Sequence, residues 1–111
     1  MKPFTFKTKY AEYQNCYFHP NTYHTTGNKA LSIYNRENGT ICVCTVNGSR
    51  ILKSDEIGIK NWSENEGIDK FLIEMGIVED KPFDYESIGF VEIPYYKLTE
   101  KGLNIFNVKR L

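Results

Sequence analysis

The side chains in this sequence with chemistry to offer are three cysteines, two histidines and a run of carboxylates. A thiol beside a histidine can act as a nucleophile with its general base, and Cys16 with His19 or His24 is the pair to consider. No family motif surrounds them. An odd number of cysteines in a chain that opens without an apolar signal stretch argues against a disulfide framework. Cys42 and Cys44 stand two apart in a β-rich run and point the same way, and neighbours on a flat strand are poorly set for a bridge. Zinc would need further ligands such as Cys16, His19 or His24, and the spacing is not that of a zinc site. The cysteines therefore read as small buried apolar residues. The carboxylates from Glu79 to Glu86 do not follow the spacing of a calcium loop. The glycines form neither a phosphate-cradling nor a dinucleotide pattern. The sequence predicts no catalytic residue, no metal and no cofactor.

Two features suggest a binding surface instead. Phe90 lies close to Tyr95 and Tyr96, with Tyr85 just before them. If a sheet exposes this face, stacked aromatics with Lys97 and the N-terminal lysines could hold single-stranded nucleic acid; the competing reading is aromatics filling a core from alternate strand positions. Trp62 stands just before a predicted helix, as a hydrophobic staple or as an exposed protein-contact anchor. The acidic stretch around Glu79 and Asp80 could steer a basic partner. The candidate site residues are Trp62, Tyr85, Phe90, Tyr95, Tyr96, Glu79 and Asp80.

The elements that must position them follow from patterning. Residues 3–10 read as a strand with Phe4 and Phe6 on one face, and 13–19 as a second strand ended by Pro20-Asn21. Residues 30–36 and 40–46 flank Glu37-Asn38-Gly39, which predicts a hairpin with a type I′ turn. The second arm is apolar on both faces, which predicts a central, doubly covered strand. A short strand should hold Ile57 and Ile59. Ser63 with Glu66 makes a capping box, and Ile68, Phe71, Leu72 and Met75 form one stripe, predicting a helix over about 64–75 that ends at Gly76. Residues 87–98 read as one strand bent near Gly89 and Pro94. Residues 99–102 read as a turn, and Leu103 to Val108 as a final strand or short helix. The expected fold is a single α+β domain over 1–111, a mainly antiparallel sheet of five or six strands packed with one principal helix.

Composition narrows the function classes. The chain has 111 residues, 14 Lys+Arg against 14 Asp+Glu, and 8 Tyr, 7 Phe and 1 Trp. Zero net charge argues against a general nucleic-acid binder. The balance hides an asymmetry: residues 1–30 hold four lysines against Glu12, while 61–90 hold eight carboxylates against two lysines. No apolar run approaches the roughly 18 residues of a membrane span, so a cytoplasmic, non-membrane protein is expected.

The order of segments resembles a family of small domains encoded on conjugative elements and phages of Firmicutes and Bacteroidetes. The matching pieces are Phe4-Thr5-Phe6-Lys7-Thr8, Ala30-Leu31-Ser32-Ile33, Thr45-Val46-Asn47, Lys60-Asn61-Trp62 leading into a helix that ends Met75-Gly76-Ile77, and Gly89-Phe90 followed by Pro94-Tyr95-Tyr96-Lys97. They span roughly residues 3–98, and the family contributes no catalytic residues. The resemblance implies an accessory protein of a mobile element. The expectation is a non-enzymatic binding protein, an anti-defence inhibitor that blocks a host protein or sequesters a small signalling molecule. A nucleic-acid-binding accessory factor is the alternative, and a homodimer stays open.

Overall fold

The computed structural model describes residues 2–107. Four strands form an antiparallel meander: β1 (Phe4–Lys7), β2 (Glu12–Thr22), β3 (Lys29–Asn35) and β4 (Gly39–Val43), in the order β1-β2-β3-β4. Three more form a second antiparallel sheet, β5 (Glu56–Gly58), β6 (Asp84–Ile88) and β7 (Val91–Lys97), with β7 in the middle. The sheets meet at one seam. Lys60 N–H donates to the Cys44 carbonyl at 2.9 Å, Val46 N–H donates to the Gly58 carbonyl at 3.1 Å, and Thr45 bridges Ile59 between them. Two short helices complete the α+β domain, α1 (Ile68–Glu74) and α2 (Glu100–Ile105).

One core lies between these layers. Phe6, Cys16, Phe18, Leu31 and Ile33 from the meander meet Ile57, Ile59, Tyr96 and Leu98 from the second sheet, with Leu72 and Leu103 from the helices. At its edge Phe71 of α1 lies 5.8 Å from Phe4 and 5.0 Å from Phe6, ring to ring. Each fully buried Leu or Ile contributes about 1.5–3 kcal/mol relative to exposure, so this shared core, rather than the single seam, holds the sheets together. The radius of gyration of 13.4 Å matches the roughly 13 Å of one globule of about 100 residues.

Several expectations need correction. β2 does not end at Pro20-Asn21 but runs to Thr22, with Pro20 opposite Leu31. β1 pairs only as far as Cys16, so the rest of β2 has an open edge that tolerates a proline. At the β3–β4 turn only Gly39 has positive φ (71°), so the turn is not type I′; the Asn35 side chain accepts the Asn38 N–H at 2.7 Å instead. β4 is an edge strand rather than a doubly covered one. Its register slips at Ile41, Val43 is 47% exposed, and the Asn65 side chain caps the Val43 carbonyl at 2.6 Å.

The principal helix is shorter than 64–75. Ser63 takes φ of 58° and opens only a 3-10 turn (Ser63–Asn65), and Gly67 at 87° breaks the path before α1 begins. No capping box forms at Ser63. The far end is as expected: Gly76 at φ 74° donates to the Ile73 carbonyl and Ile77 N–H to the Leu72 carbonyl, the paired bonds of a Schellman cap. Residues 87–98 are not one bent strand. Ile88 pairs with Val91, so Gly89-Phe90 is a two-residue turn between β6 and β7. Gly89 at φ 60° fits the Gly-first pattern of a type II′ hairpin. Residues 99–102 are not a free turn either; Thr99 caps α2 by accepting the Gly102 N–H at 3.1 Å. Val108 lies outside the described residues.

Candidate functional site

Exposed apolar side chains cluster at the β6–β7 hairpin and the residue that leads into it. Phe83 (43%), Tyr85 (49%), Ile88 (44%) and Phe90 (109%) fall within eight residues. The strand pairing sorts them. Tyr85 sits opposite Pro94, and Glu86 opposite Ile93, so Tyr85 projects from one face of the hairpin and Glu86 and Ile88 from the other, with Phe90 at the tip. Glu79, Asp80 and Glu92 are exposed nearby. Residues 79–92 hold five carboxylates and Lys81, and Asp84 is ion-paired with Arg50 from outside this stretch.

The base of the hairpin is held by the loop after β4. Arg50 Nη1 meets Asp84 Oδ2 at 2.6 Å and Nη2 donates to the Tyr85 carbonyl at 2.9 Å, with the guanidinium 4.8 Å from the Tyr95 ring centre. Pro94 turns its carbonyl to Ile59 on the β5 side at 3.0 Å. In an antiparallel ladder the opposite residue, Tyr85, then directs its main-chain groups outward. Both are occupied: the carbonyl by Arg50, and the N–H by the Asp84 carboxylate at 2.8 Å. Arg50 thus blunts an edge that would otherwise offer itself for strand pairing.

Buried Tyr95 donates its hydroxyl to Glu86 at 2.5 Å, and the Ser49 hydroxyl donates to the same carboxylate. These donors hold the Glu86 carboxyl below its ordinary range, Ser49 contributing most. Burial, then Glu86, push the Tyr95 phenol well up. A Cβ at Gly48 would collide with the Tyr95 hydroxyl, so this loop needs glycine there. From the other side, buried Asn28 fixes the loop: its amide donates to the Arg50 carbonyl at 2.7 Å and its oxygen accepts the Leu52 N–H at 2.8 Å.

The structure therefore places Tyr85 and Phe90 on one hairpin, whereas Glu79, whose N–H donates to the Lys97 carbonyl, and the neighbouring Asp80 lie at the end of β7 opposite the Phe90 tip; the others are excluded. Tyr95 and Tyr96 are 1% and 4% exposed, so they cannot form a stacking platform. β7 is central and covered on both faces: Tyr95 points to Glu86, while Tyr96 donates to Asp69 of α1 at 3.2 Å. Burial, then the Asp69 charge, raise the Tyr96 phenol to about 12. Trp62 is half-buried at the start of the 3-10 turn and is not part of the hairpin. Phe83 and Ile88 were missing from the sequence reading; the signal for them was Gly89-Phe90 read as a hairpin turn, which puts Ile88 on an edge strand.

Cys16 and Cys44 are buried, in keeping with their reading as small apolar residues. Cys16 is fully buried, and desolvation raises its thiol. The thiol pushed down is half-buried Cys42, through the neighbouring Cys44 thiol, which is itself raised. His19 packs edge-on against Tyr34 at 5.9 Å. Among the described residues no group of three His, Cys, Asp or Glu side chains is placed to hold a metal ion, and no helix is long and apolar enough to cross a membrane. Comparison with protein-family models, curated proteins and solved structures returned no match to this chain.

Proposed function

We propose that this is a non-enzymatic binding protein that inserts the β6–β7 hairpin into a cleft on a basic partner protein and acts by occlusion. One observation carries it: four large apolar side chains exposed within residues 83–90, projecting from both faces and the tip of one hairpin. A monomeric soluble domain seldom leaves such a cluster uncovered. Because the side chains point two ways, a cleft suits them better than a flat surface. Exposed Glu92 on β7, with Glu79 and Asp80 at the other end of that strand, favours a basic wall and speeds its approach. They also oppose phosphate, which disfavours nucleic acid at this site. In the setting implied by the resemblance, the partner is a host defence component and the protein an accessory of a mobile element.

The test is site-specific photo-crosslinking in the host cell from position 90, with position 10 as control, since Tyr10 is also fully exposed (87%) but lies in the β1–β2 connection. A discrete protein adduct from position 90 and none from position 10 is expected. Phe90→Ala should abolish co-purification of that protein while changing stability by less than about 0.5 kcal/mol, as for an exposed side chain. Equal adducts at both positions, or none at 90, would refute the assignment.

A further inference from the structure

We propose that Asn38 is a self-modifying site, at which the native protein converts the asparagine to aspartate and isoaspartate without an enzyme. The chain holds two Asn-Gly pairs, Asn38-Gly39 and Asn47-Gly48. Asparagine followed by glycine is the pair most open to this chemistry, because no Cβ shields the next main-chain nitrogen. The Gly39 nitrogen attacks Cγ of Asn38. A new C–N bond closes a five-membered succinimide, and the side-chain nitrogen leaves as ammonia with the proton that the Gly39 nitrogen gives up. Water then opens the ring at either carbonyl. Opening on one side leaves aspartate in the normal chain; opening on the other carries the main chain through the former side chain, as isoaspartate. Water is the one co-reactant.

The fold sets the two pairs apart. Asn38 is exposed in the turn between β3 and β4, and its side-chain amide makes no hydrogen bond among the described residues. Around Gly39 nothing lies within 4 Å of the place a Cβ would take. Asn47 is pinned instead. Its Oδ1 accepts the Thr26 hydroxyl at 2.9 Å and the Asn28 amide at 3.3 Å, and its Nδ2 donates to the Thr25 hydroxyl at 3.2 Å. The Tyr95 hydroxyl and the Glu86 carboxylate crowd Gly48. Turning the Asn47 amide toward the Gly48 nitrogen breaks all three bonds; turning that of Asn38 breaks none. The turn also decides what the product does. Asn35 is buried, its Nδ2 donates to the Gln14 carbonyl at 3.0 Å, and its Oδ1 accepts the Asn38 N–H at 2.7 Å. Through this one side chain the turn is tied to β2, while Asn35 pairs with Gly39 across the hairpin. Aspartate keeps that main chain. Isoaspartate inserts a methylene between the Asn38 N–H and Gly39, so the bond to Asn35 and the Asn35–Gly39 pairing no longer fit together.

The test is to hold the whole protein folded at mildly alkaline pH for days and follow it by peptide mapping. Isoaspartate is counted by transfer of a labelled methyl group from S-adenosylmethionine with an isoaspartyl methyltransferase. The expected result is conversion at Asn38 with Asn47 intact, and conversion of both once the chain is held in denaturant. The aged protein should melt a few degrees lower, the scale of one lost hydrogen bond in a domain of this size. Fresh Asn38→Asp, which has the charge but not the methylene, should keep the original Tm, and Asn38→Gln should neither convert nor lose Tm over the same period. Conversion of Asn47 as fast as Asn38 in the folded protein, an unchanged Asn38 after a time that converts it fully in denaturant, or an aged protein that melts with Asn38→Asp would each overturn the proposal.

Discussion

Replacing Gly102 by alanine sets helix propensity against packing, and the structure decides the sign. Gly102 lies inside α2, where exchanging glycine for alanine normally stabilises by about 0.5–1 kcal/mol. Here the glycine is buried, and an added Cβ would collide with the Ile77 carbonyl oxygen while approaching Leu98 Cδ2 to 3.0 Å and the Ile77 carbonyl carbon to 3.2 Å. Backbone on a buried turn cannot yield as a side chain can. Overpacking costs about 1–3 kcal/mol. Moving α2 away also strains the bonds that the Ile77 carbonyl accepts from Thr99 N–H at 3.0 Å and Thr99 Oγ1 at 3.2 Å, each contributing about 0.5–1.5 kcal/mol. Against the propensity gain, a net loss of about 2 kcal/mol is expected, or roughly 8 °C in Tm for a domain of this size. Differential scanning calorimetry of Gly102→Ala beside Asn104→Ala, an exposed position in the same helix, measures it. An unchanged or raised Tm for Gly102→Ala would refute the close approach of α2 to the Ile77 turn.

Arg50→Ala should free the outward carbonyl of Tyr85 and convert β6 into an open edge; self-association that rises with concentration in size-exclusion chromatography is expected, and a strictly monomeric variant would count against the edge-blunting role. Alkaline titration followed by tyrosinate absorbance should show two of the eight tyrosines, Tyr95 and Tyr96, ionising only in a late cooperative step. Because their folded-state phenols are raised, the folded protein holds those protons more tightly than the unfolded chain, so their contribution to stability is complete below pH about 10 and is lost as pH climbs above it. A single smooth transition of all tyrosines with the fold intact would contradict this. A thiol reagent at neutral pH should label Cys42 in the native protein and leave buried Cys16 and Cys44 until unfolding; mass spectrometry of the labelled peptides distinguishes the outcomes.

What the sequence made legible was local. Phe4 and Phe6 marked β1, the Asn38-Gly39 pair placed the β3–β4 hairpin, and Gly76 ended its helix with the expected cap. Sequence reasoning failed where a backbone conformation overrode a pattern. Gly67 was passed over in an otherwise helical stripe, yet its positive φ separates a 3-10 turn from α1. Gly89 was read as a bend because apolar residues continue on both sides, when a Gly-first turn was equally available. Tyr95 and Tyr96 could be read either as a stacking face or as core aromatics, and a central strand covered on both faces settles it for the core. The Arg50–Asp84 contact joins residues 34 apart and has no short-range signal at all.

The arrangement of the two sheets also orders the folding reaction. Every pairing in the meander joins strands that are adjacent in sequence, so each loop it closes is short. β5 instead waits for β7: Glu56 pairs with Lys97, 41 residues away, after α1 and β6 have intervened. Closing that loop is the larger entropic step. The topology therefore places the meander and the β6–β7 hairpin early and the β5–β7 pairing late. Ile57, opposite Tyr96 in the pairing that closes last, should act chiefly on the rate at which the native protein comes apart, while Leu31 and Ile33 set how fast it forms.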